Sequence, residues 1–170
     1  MNYHNITYPD MLNGNGLRVV LWLSGCSHKC YKCQNPQTWD INSGIQFDEN
    51  AKEELFRELS KDYISGLTLT GGDPLHENNV EKVYEIVCEV HSKFPNKTIW
   101  LYTGFTWEEL NQDIEEKRFN ILKHVDVLVE GKYIDSQRDV SLHWRGSSNQ
   151  RVIDIKKSLK KGEIVLWDTN

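Results

Sequence analysis

Short apolar runs that alternate with helix-like segments constrain the fold of this chain most strongly. The four runs begin near Leu17, Gly66, Thr98 and Val125, and each is short enough for one strand. Strands separated by helices of ten or more residues are typical of βαβ units, which form parallel sheets with right-handed crossovers. The pattern therefore predicts an α/β fold with a mostly parallel sheet.

The segments between the runs carry helix signals. Asp48 fits an N-cap for a helix over about 48–60, and apolar residues recur at helical spacing over 79–93. Glu109 stands at the capping-box position relative to Thr106. Near the end of the chain, 151–155 and 163–167 predict two further strands joined by a lysine-rich turn.

Length and charge limit the classes of function. With 170 residues and no repeat or proline-rich linker, the chain is expected to form a single domain over 1–170. Its 25 acidic and 20 basic side chains are scattered, which argues against a nucleic-acid partner. A polar start and the lack of a run of about 18 apolar residues argue against a signal peptide and a membrane span. A cytoplasmic protein is expected.

Three of the four cysteines lie together directly after the first apolar run, at Cys26, Cys30 and Cys33. In a reducing compartment such a cluster indicates metal or catalytic chemistry rather than disulfides. A 4Fe-4S cube held by only three cysteines keeps one iron open to another ligand. Cys88 lies in the predicted helix over 79–93 and is expected to be a buried structural thiol.

A zinc site of three cysteines and one histidine is the alternative at this loop, because His28 lies between Cys26 and Cys30. With His28 as a fourth ligand, no open position would remain. We expect His28 instead to orient the loop or to cover the cluster. The other histidines show no metal-like spacing: they are His4, His76, His91, His124 and His143.

Glycines and an acid follow the second run, in Thr70-Gly71-Gly72-Asp73-Pro74. Ligands of parallel sheets gather at the carboxyl ends of the strands, where this segment and the cysteine loop are both expected. Two residues without side chains let the backbone approach a ligand closely, and a neighbouring carboxylate suits an ammonium group. An ordinary glycine turn that ends at Pro74 is the alternative.

The spacing Cys26-x-x-x-Cys30-x-x-Cys33, taken with Gly71-Gly72-Asp73, resembles the radical S-adenosylmethionine (SAM) superfamily. In that superfamily three cysteines hold one 4Fe-4S cluster and a Gly-Gly-acid motif binds the SAM amino group. The resemblance narrows to the activating proteins of anaerobic ribonucleotide reductases and extends from Asn13 to Ile153. Further motifs that carry it are Asn13-Gly14-x-Gly16-x-Arg18, Asn35-Pro36-Gln37-Thr38-Trp39, Trp100-Leu101-Tyr102-Thr103-Gly104 and the segment from Trp144 to Arg151.

This resemblance implies an oxidoreductase that cleaves SAM reductively at the cluster and generates a glycyl radical on the large subunit of the anaerobic ribonucleoside-triphosphate reductase. The implied electron donor is reduced flavodoxin or a similar protein. The implied fold is a partial (β/α) barrel of the radical SAM type, with an open cleft that the partner protein closes. Two alternatives stay open: a small radical SAM enzyme that acts on a metabolite, and a non-enzymatic iron-sulfur or zinc module.

The resemblance also assigns residues. It makes the three cysteines the metal ligands and the catalytic centre, and it places SAM against Lys32, Cys33, Gln34, Gly71, Gly72 and Asp73. Lys32 departs from the residue that is usual before the third cysteine, so Lys32 and Gln34 are expected to use backbone groups. The segment from Trp144 to Arg151 is expected either to grasp a peptide backbone or the SAM carboxylate, or to hold its own loop.

Overall fold

The computed structural model describes residues 1–112 and 117–168. Seven strands form one sheet: β1 (Asn2–Asp10), β2 (Arg18–Leu23), β3 (Ile45–Gln46), β4 (Gly66–Gly71), β5 (Thr98–Tyr102), β6 (Val127–Glu130) and β7 (Arg151–Asp154). The α-helices are α1 (Glu49–Leu59), α2 (Val80–Lys93), α3 (Trp107–Asn111), α4 (Lys117–Leu122) and α5 (Ile155–Lys161). Two short 3-10 helices cover Pro36–Thr38 and Asp135–Gln137.

The sheet has the order β3-β1-β2-β4-β5-β6-β7. Its centre, β2-β4-β5-β6, is parallel, which confirms the α/β prediction there. Both edges are antiparallel, because β1 pairs with β2 and β3, and β7 pairs with β6. Parallel neighbours need a long crossover, whereas a loop over 11–17 joins β1 to β2. The sheet is therefore mixed rather than mostly parallel.

Local signals explain most of the predicted elements. Asp48 caps α1 by accepting a hydrogen bond from the Ala51 amide, and Thr106 and Glu109 form both halves of the capping box at α3. The strand residues Val19 and Leu21 are fully buried. Buried central strands of this kind read as continuous apolar runs, which is why the sequence revealed them.

The predicted end of the chain is partly wrong. The lysine-rich segment is the helix α5, which Asp154 caps by accepting a hydrogen bond from the Lys157 amide. Gly162, with a φ of 72°, ends this helix in the left-handed conformation. The predicted last strand is reduced to one bridge between Leu166 and Ile153.

The two faces of the sheet bury different clusters of side chains. One face packs Val19, Leu69 and Leu101 against the helices, and the buried apolar residues of α1 to α5 all belong to this cluster. The other face carries a smaller cluster around Trp100 and Val129, to which no helix in 1–112 or 117–168 contributes. Successive strand residues point to opposite faces, so the polar alternate positions lie on this second face.

Arg18 closes the amino-terminal end of the second face. Its side chain is fully buried, donates hydrogen bonds to the Leu67 and Thr98 carbonyls, and lies 5.5 Å from the centre of the Trp100 ring. Burial lowers the pKa of Arg18 to about 10. A Cβ on Gly14 would lie 2.7 Å from Arg18 Cδ, so the glycine of the Asn13-Gly14-x-Gly16-x-Arg18 motif makes room for this side chain.

Within the described ranges, no helix is both long enough and apolar enough to cross a membrane.

Candidate functional site

A cavity of about 400 Å³ lies on the second face of the sheet, at the carboxyl-terminal half of the strands. Its floor is formed by side chains at alternate strand positions, namely Trp22, Thr70 and Tyr102. Its walls come from three loops and include Leu12, Asn13, Cys33, Gln34, Asn35, Tyr133, Leu142, Trp144, Arg145, Gly146 and Gln150. The cavity therefore joins the cysteine loop to the terminal motif, which are far apart in sequence.

The cysteine loop leaves the carboxyl end of β2, as the sequence pattern predicted. Cys26, Cys30 and Cys33 are unpaired and half-buried. The Cys33 amide donates a hydrogen bond of 3.0 Å to the Cys30 carbonyl, which closes a turn between these two cysteines. Lys29 and Lys32 adopt left-handed φ values of 47° and 54°, so the loop folds back sharply at both lysines.

Backbone amides surround the cysteine sulfurs. The Asn35 amide donates a hydrogen bond of 3.4 Å to Cys33 Sγ. Burial raises the pKa of Cys26 to about 11, although hydrogen bonds from the His28 and Lys29 backbone act in the opposite direction. Burial likewise raises the pKa of Cys30, although a hydrogen bond from the Tyr133 backbone acts to lower it. Cysteine thiolates with amide donors directed at sulfur form the usual environment of iron-sulfur clusters.

These donors fit a 4Fe-4S cluster, since one loop supplies three thiols and several amide donors. In residues 1–112 and 117–168, no three His, Cys, Asp or Glu side chains are grouped so that they could hold a single metal ion. The thiols must lose their protons when iron binds, so cluster assembly releases protons, and the raised pKa values of Cys26 and Cys30 oppose assembly at neutral pH.

Asp73 lies at the centre of a hydrogen-bond network that joins three strand-end loops. Its carboxylate is 2% exposed and accepts hydrogen bonds from the Leu75 amide, the Thr103 hydroxyl and the Gly104 amide. His28 Nε2 lies 2.7 Å from Asp73 Oδ2. The carboxylate thus holds the cysteine loop and the loop after β5 together, a role that the sequence pattern did not reveal.

His28 orients the cysteine loop, as expected. Its ring is bonded to Asp73 on one side and packs edge-on against Phe105, with ring centres 4.6 Å apart. A Cβ on Gly104 would lie 2.4 Å from His28 Cδ2, so the glycine after β5 makes room for the imidazole. The residue type at Gly104 therefore follows from the position of His28.

Gly71 and Gly72 are required by the close approach of the end of β2 and the residues directly after it. A Cβ on Gly71 would lie 2.8 Å from the Leu23 amide nitrogen, and one on Gly72 would lie 2.6 Å from the Gly25 carbonyl oxygen. The amide of Asp73 donates a hydrogen bond of 2.7 Å to that same carbonyl. The two glycines therefore dock the segment after β4 against the start of the cysteine loop.

The predicted SAM-binding residues fall into two groups. Cys33 and Gln34 line the cavity, whereas Gly71, the last residue of β4, is followed by Gly72 and Asp73 beside the start of the cysteine loop. The exposed Lys32 side chain forms an ion pair of 2.9 Å with Asp135 instead of entering the cavity. Binding of SAM by these residues remains a prediction.

The terminal motif both holds its own loop and faces the cavity. Arg145 Nη1 donates a hydrogen bond to the Gln150 carbonyl, and the Gln150 side chain accepts hydrogen bonds from the Gly146 and Ser147 amides. Trp144, with a φ of 64°, packs edge-on against Trp100 at 5.6 Å. The two roles considered for this motif are thus compatible, since the internal bonds fix side chains that line the cavity.

Several residues of the site were not recognised in the sequence. Trp22 and Tyr102 lie in the predicted strands, where they resemble core aromatics, and Tyr133 lies in the loop after β6. Burial raises the pKa of Tyr102, so its phenol stays protonated. The signal that could have identified Trp22 and Tyr102 is their alternation with Leu21, Leu23 and Leu101, which face the helices.

Cys88 differs from its prediction. The thiol is half-buried rather than buried, and its Sγ lies 3.5 Å from His124 Nε2. It belongs to α2, on the helix-covered side of the sheet, and is not part of the cavity.

Comparisons with known proteins point to a 4Fe-4S domain, as the cysteine loop does. Residues 12–153 match the family model of a 4Fe-4S single cluster domain. The anaerobic ribonucleoside-triphosphate reductase-activating protein of Enterobacteria phage T4 is 47% identical over 152 residues, which cover 89% of this chain and 93% of that protein. The proteins of the same name from Vibrio cholerae and Escherichia coli K12 are 41% and 40% identical, over 88% and 92% of this chain and 96% and 100% of their own lengths.

Proposed function

The chain belongs to the family of anaerobic ribonucleoside-triphosphate reductase-activating proteins, and we propose that it activates such a reductase by generating a glycyl radical on the large subunit. The observation that carries this proposal is the arrangement of the cysteine loop. Cys33 borders a cavity of about 400 Å³, while His28 and Asp73 anchor the loop from behind. A metal centre held there would lie beside a space that accepts a ligand of moderate size.

Cys26, Cys30 and Cys33 would hold one 4Fe-4S cluster, with one iron open to SAM. When bound, the cluster would supply one electron for the cleavage of SAM to methionine and, after a hydrogen atom leaves the target glycine, 5'-deoxyadenosine. Reduced flavodoxin or a similar protein is the proposed source of that electron. We assign the reaction to the cytoplasm.

The residues of the chain would position SAM and exclude water. Cys33 and Gln34 offer backbone groups on one wall of the cavity, and Arg145 offers a cation for the SAM carboxylate on another. On the far side of the cysteine loop, Gly71, Gly72 and Asp73 are the proposed contacts of the SAM amino group. Asp73 already accepts several hydrogen bonds, so we assign a large part of this role to the backbone around it.

The reaction sets two requirements on the site. Hydrogen abstraction needs the target carbon within roughly 3 to 3.5 Å of the reacting atom, and solvent must stay away from the reactive site. Trp22, Tyr102 and Trp144 give the cavity aromatic surfaces suited to this exclusion. The opening between the loops would be closed by the reductase itself.

We also propose that the sheet is a partial (β/α) barrel of the radical SAM type, formed by one domain over 1–170. The parallel centre, the helices gathered on one face and the cavity on the other face support this assignment. In such a barrel the second face is the interior, and the strands' alternate positions face the ligand.

The proposal is tested by anaerobic reconstitution with iron and sulfide, followed by SAM and a reductant. The protein should release 5'-deoxyadenosine and should then confer nucleotide reduction on the reductase from the same genome. Cys30→Ser should abolish both activities, whereas Cys88→Ser, outside the cavity, should keep them. Release of 5'-deoxyadenosine without activation of the reductase would favour an enzyme that acts on a metabolite. Full activity of Cys30→Ser would contradict the proposal.

A further inference from the structure

Three side chains of the terminal motif hold the loop after β6 by its backbone. Each hydrogen bond joins one side chain to one backbone group: Gln150 Nε2 donates to the Gly131 carbonyl at 2.9 Å, Asn149 Nδ2 donates to the Lys132 carbonyl at 2.8 Å, and Ser147 Oγ accepts from the Ile134 amide at 3.2 Å. The backbone of 131–134 is therefore fixed by a segment that follows it by more than ten residues.

The Tyr133 amide, which lies between these bonded groups, points toward the cysteine loop. The Tyr133 backbone forms a hydrogen bond with the sulfur of Cys30. The Lys132 carbonyl and the Tyr133 N–H belong to one planar trans peptide group, so they point in opposite directions. Asn149 and the Cys30 sulfur thus lie on opposite sides of the same peptide group. The Asn149 side chain fixes the direction in which this N–H points.

The loop after β6 has a second connection to the cysteine loop through Asp135. This carboxylate pairs with Lys32 at 2.9 Å and accepts a hydrogen bond of 3.1 Å from the Tyr133 phenol. Lys32 is exposed, and exposed ion pairs contribute little to position. Ser147, by contrast, is fully buried. The direction of the Tyr133 amide therefore depends chiefly on the terminal motif.

The bond from Asn149 also affects the strength of the bond to sulfur. A hydrogen bond to a carbonyl polarises its peptide group, so the N–H of the same group becomes a better donor. Hydrogen bonds to the cysteine sulfurs of an iron-sulfur cluster stabilise the reduced form, which carries more negative charge, and so raise the reduction potential. Asn149 does not line the cavity, so its influence on a cluster would pass through this peptide group.

We propose that Asn149 is a positioning residue for the 4Fe-4S cluster: it directs the N–H of the peptide group between Lys132 and Tyr133 at the Cys30 sulfur, and so raises the reduction potential of the cluster. This inference rests on the proposed function in taking Cys30 as a cluster ligand. It gives the terminal motif a role in the electron-transfer step, because a higher potential makes the cluster easier to reduce.

The test uses the full-length protein with Asn149→Leu, reconstituted with iron and sulfide. Leucine has nearly the shape of asparagine but cannot donate a hydrogen bond. The ratio of reduced to oxidised cluster is measured by electron paramagnetic resonance, at the potential that half-reduces the unchanged protein. We expect this ratio to fall at least about threefold, which corresponds to about 28 mV at 59 mV per tenfold change.

Two further variants accompany Asn149→Leu. Ser148→Ala is the matched control, since the Ser148 hydroxyl lies 3.3 Å from Gln137 Oε1 and not against the peptide group that Asn149 binds. Its ratio should stay within about 1.5-fold of the unchanged protein. Asn149→Ala removes the same donor with a smaller side chain and should lower the ratio as Asn149→Leu does.

The outcomes separate this role from the proposed function. An unchanged ratio in both Asn149 variants, or an equal fall in Ser148→Ala, would overturn the assignment. Failure of both Asn149 variants to retain the cluster would show a purely structural role and would also overturn it. The measurement needs neither SAM nor the reductase. A lowered ratio in a protein that forms no glycyl radical would thus refute the proposed function and leave the role of Asn149 standing.

Discussion

His28 Nε2 and Asp73 Oδ2 lie 2.7 Å apart, and both side chains are nearly inaccessible to solvent, at 7% and 2% exposure. His28 lies between two proposed cluster ligands, whereas Asp73 begins the segment that leads to α2. This contact links the cysteine loop to the Gly-Gly-Asp segment, and the Thr103 hydroxyl links both to the loop after β5. The position of the cysteine loop thus depends on a buried network that extends beyond the loop.

Replacement of His28 by alanine should shorten the lifetime of the cluster. The change removes the contact with Phe105 and a buried hydrogen bond to a carboxylate, and a hydrogen bond to a charged group contributes about 1.5–3 kcal/mol. Cluster loss under air or chelator, followed by visible absorbance, should be several times faster than in the unchanged protein. His28→Gln, which keeps an N–H donor, should restore part of the lifetime. Equal lifetimes for all three proteins would show that the contact does not hold the loop.

Gly72→Ala should weaken cluster binding through a steric clash. The added Cβ would lie 2.6 Å from the Gly25 carbonyl oxygen, so one of the two loops must move. Overpacking of this kind costs about 1–3 kcal/mol. We expect iron content after reconstitution to fall by at least about half, measured against protein concentration.

Gly162→Ala is the control for Gly72→Ala. It places a side chain at a φ of 72° with nothing within 4 Å, so it adds backbone strain of about 1 kcal/mol without a clash. Iron content should stay normal in this variant. The steric explanation would be wrong if Gly72→Ala also bound iron normally.

Arg145→Ala should weaken the use of SAM. Arg145 lines the cavity, and a charge-assisted hydrogen bond to a carboxylate contributes about 1.5–3 kcal/mol, which corresponds to roughly a tenfold or larger rise in the KM for SAM. Arg138, an exposed residue outside the cavity, provides the matched control Arg138→Ala. If Arg145→Ala loses only stability to urea and keeps its KM, the terminal motif holds its loop and does not bind SAM.

The Cys26 thiol of the iron-free protein should react slowly with alkylating reagents at neutral pH. Burial raises its pKa from 9.0 to about 11, and the thiolate is the reactive form. A raised folded-state pKa means that the folded protein holds this proton more tightly than the unfolded chain. The resulting stabilisation is present below pH 9 and is lost as the pH rises through about 11.

Alkylation of Cys26, followed by peptide mass spectrometry, should therefore accelerate about tenfold per pH unit from pH 8 to nearly pH 11. The same measurement in urea-unfolded protein should level off near pH 9. A plateau near pH 9 in the folded protein would contradict the effect of burial on Cys26.

The sequence predicted elements whose signals are local. Asp48 and Glu109 identified helix starts because a cap needs only residues within one turn. The spacing of the three cysteines predicted a cluster loop, again from local sequence alone. By contrast, β1 was not predicted, because many of its residues are polar and its partner β2 is reached only in the folded sheet.

The residues that shape the site could not be assigned for a similar reason. The sequence suggested that Asp73 binds an ammonium group. In the structure, three of its hydrogen bonds come from His28, Thr103 and Gly104, which are about 30 to 45 positions away in sequence. The helix α5 was missed because its lysines suggested a solvated turn, while only Ile155 and Ser158 are buried. Contacts between strand ends depend on the sheet order, which no local pattern specifies.

Electron paramagnetic resonance shows directly whether this chain produces a radical on a glycine of the reductase. The reconstituted protein, SAM, a reductant and the reductase should give a doublet, because one α-hydrogen remains on the radical carbon. Reductase labelled with α-deuterated glycine should give a collapsed signal, and Cys30→Ala should give none. The absence of a doublet from a protein that has assembled its cluster, or an undiminished doublet from Cys30→Ala, would rule out glycyl radical formation at the cysteine loop.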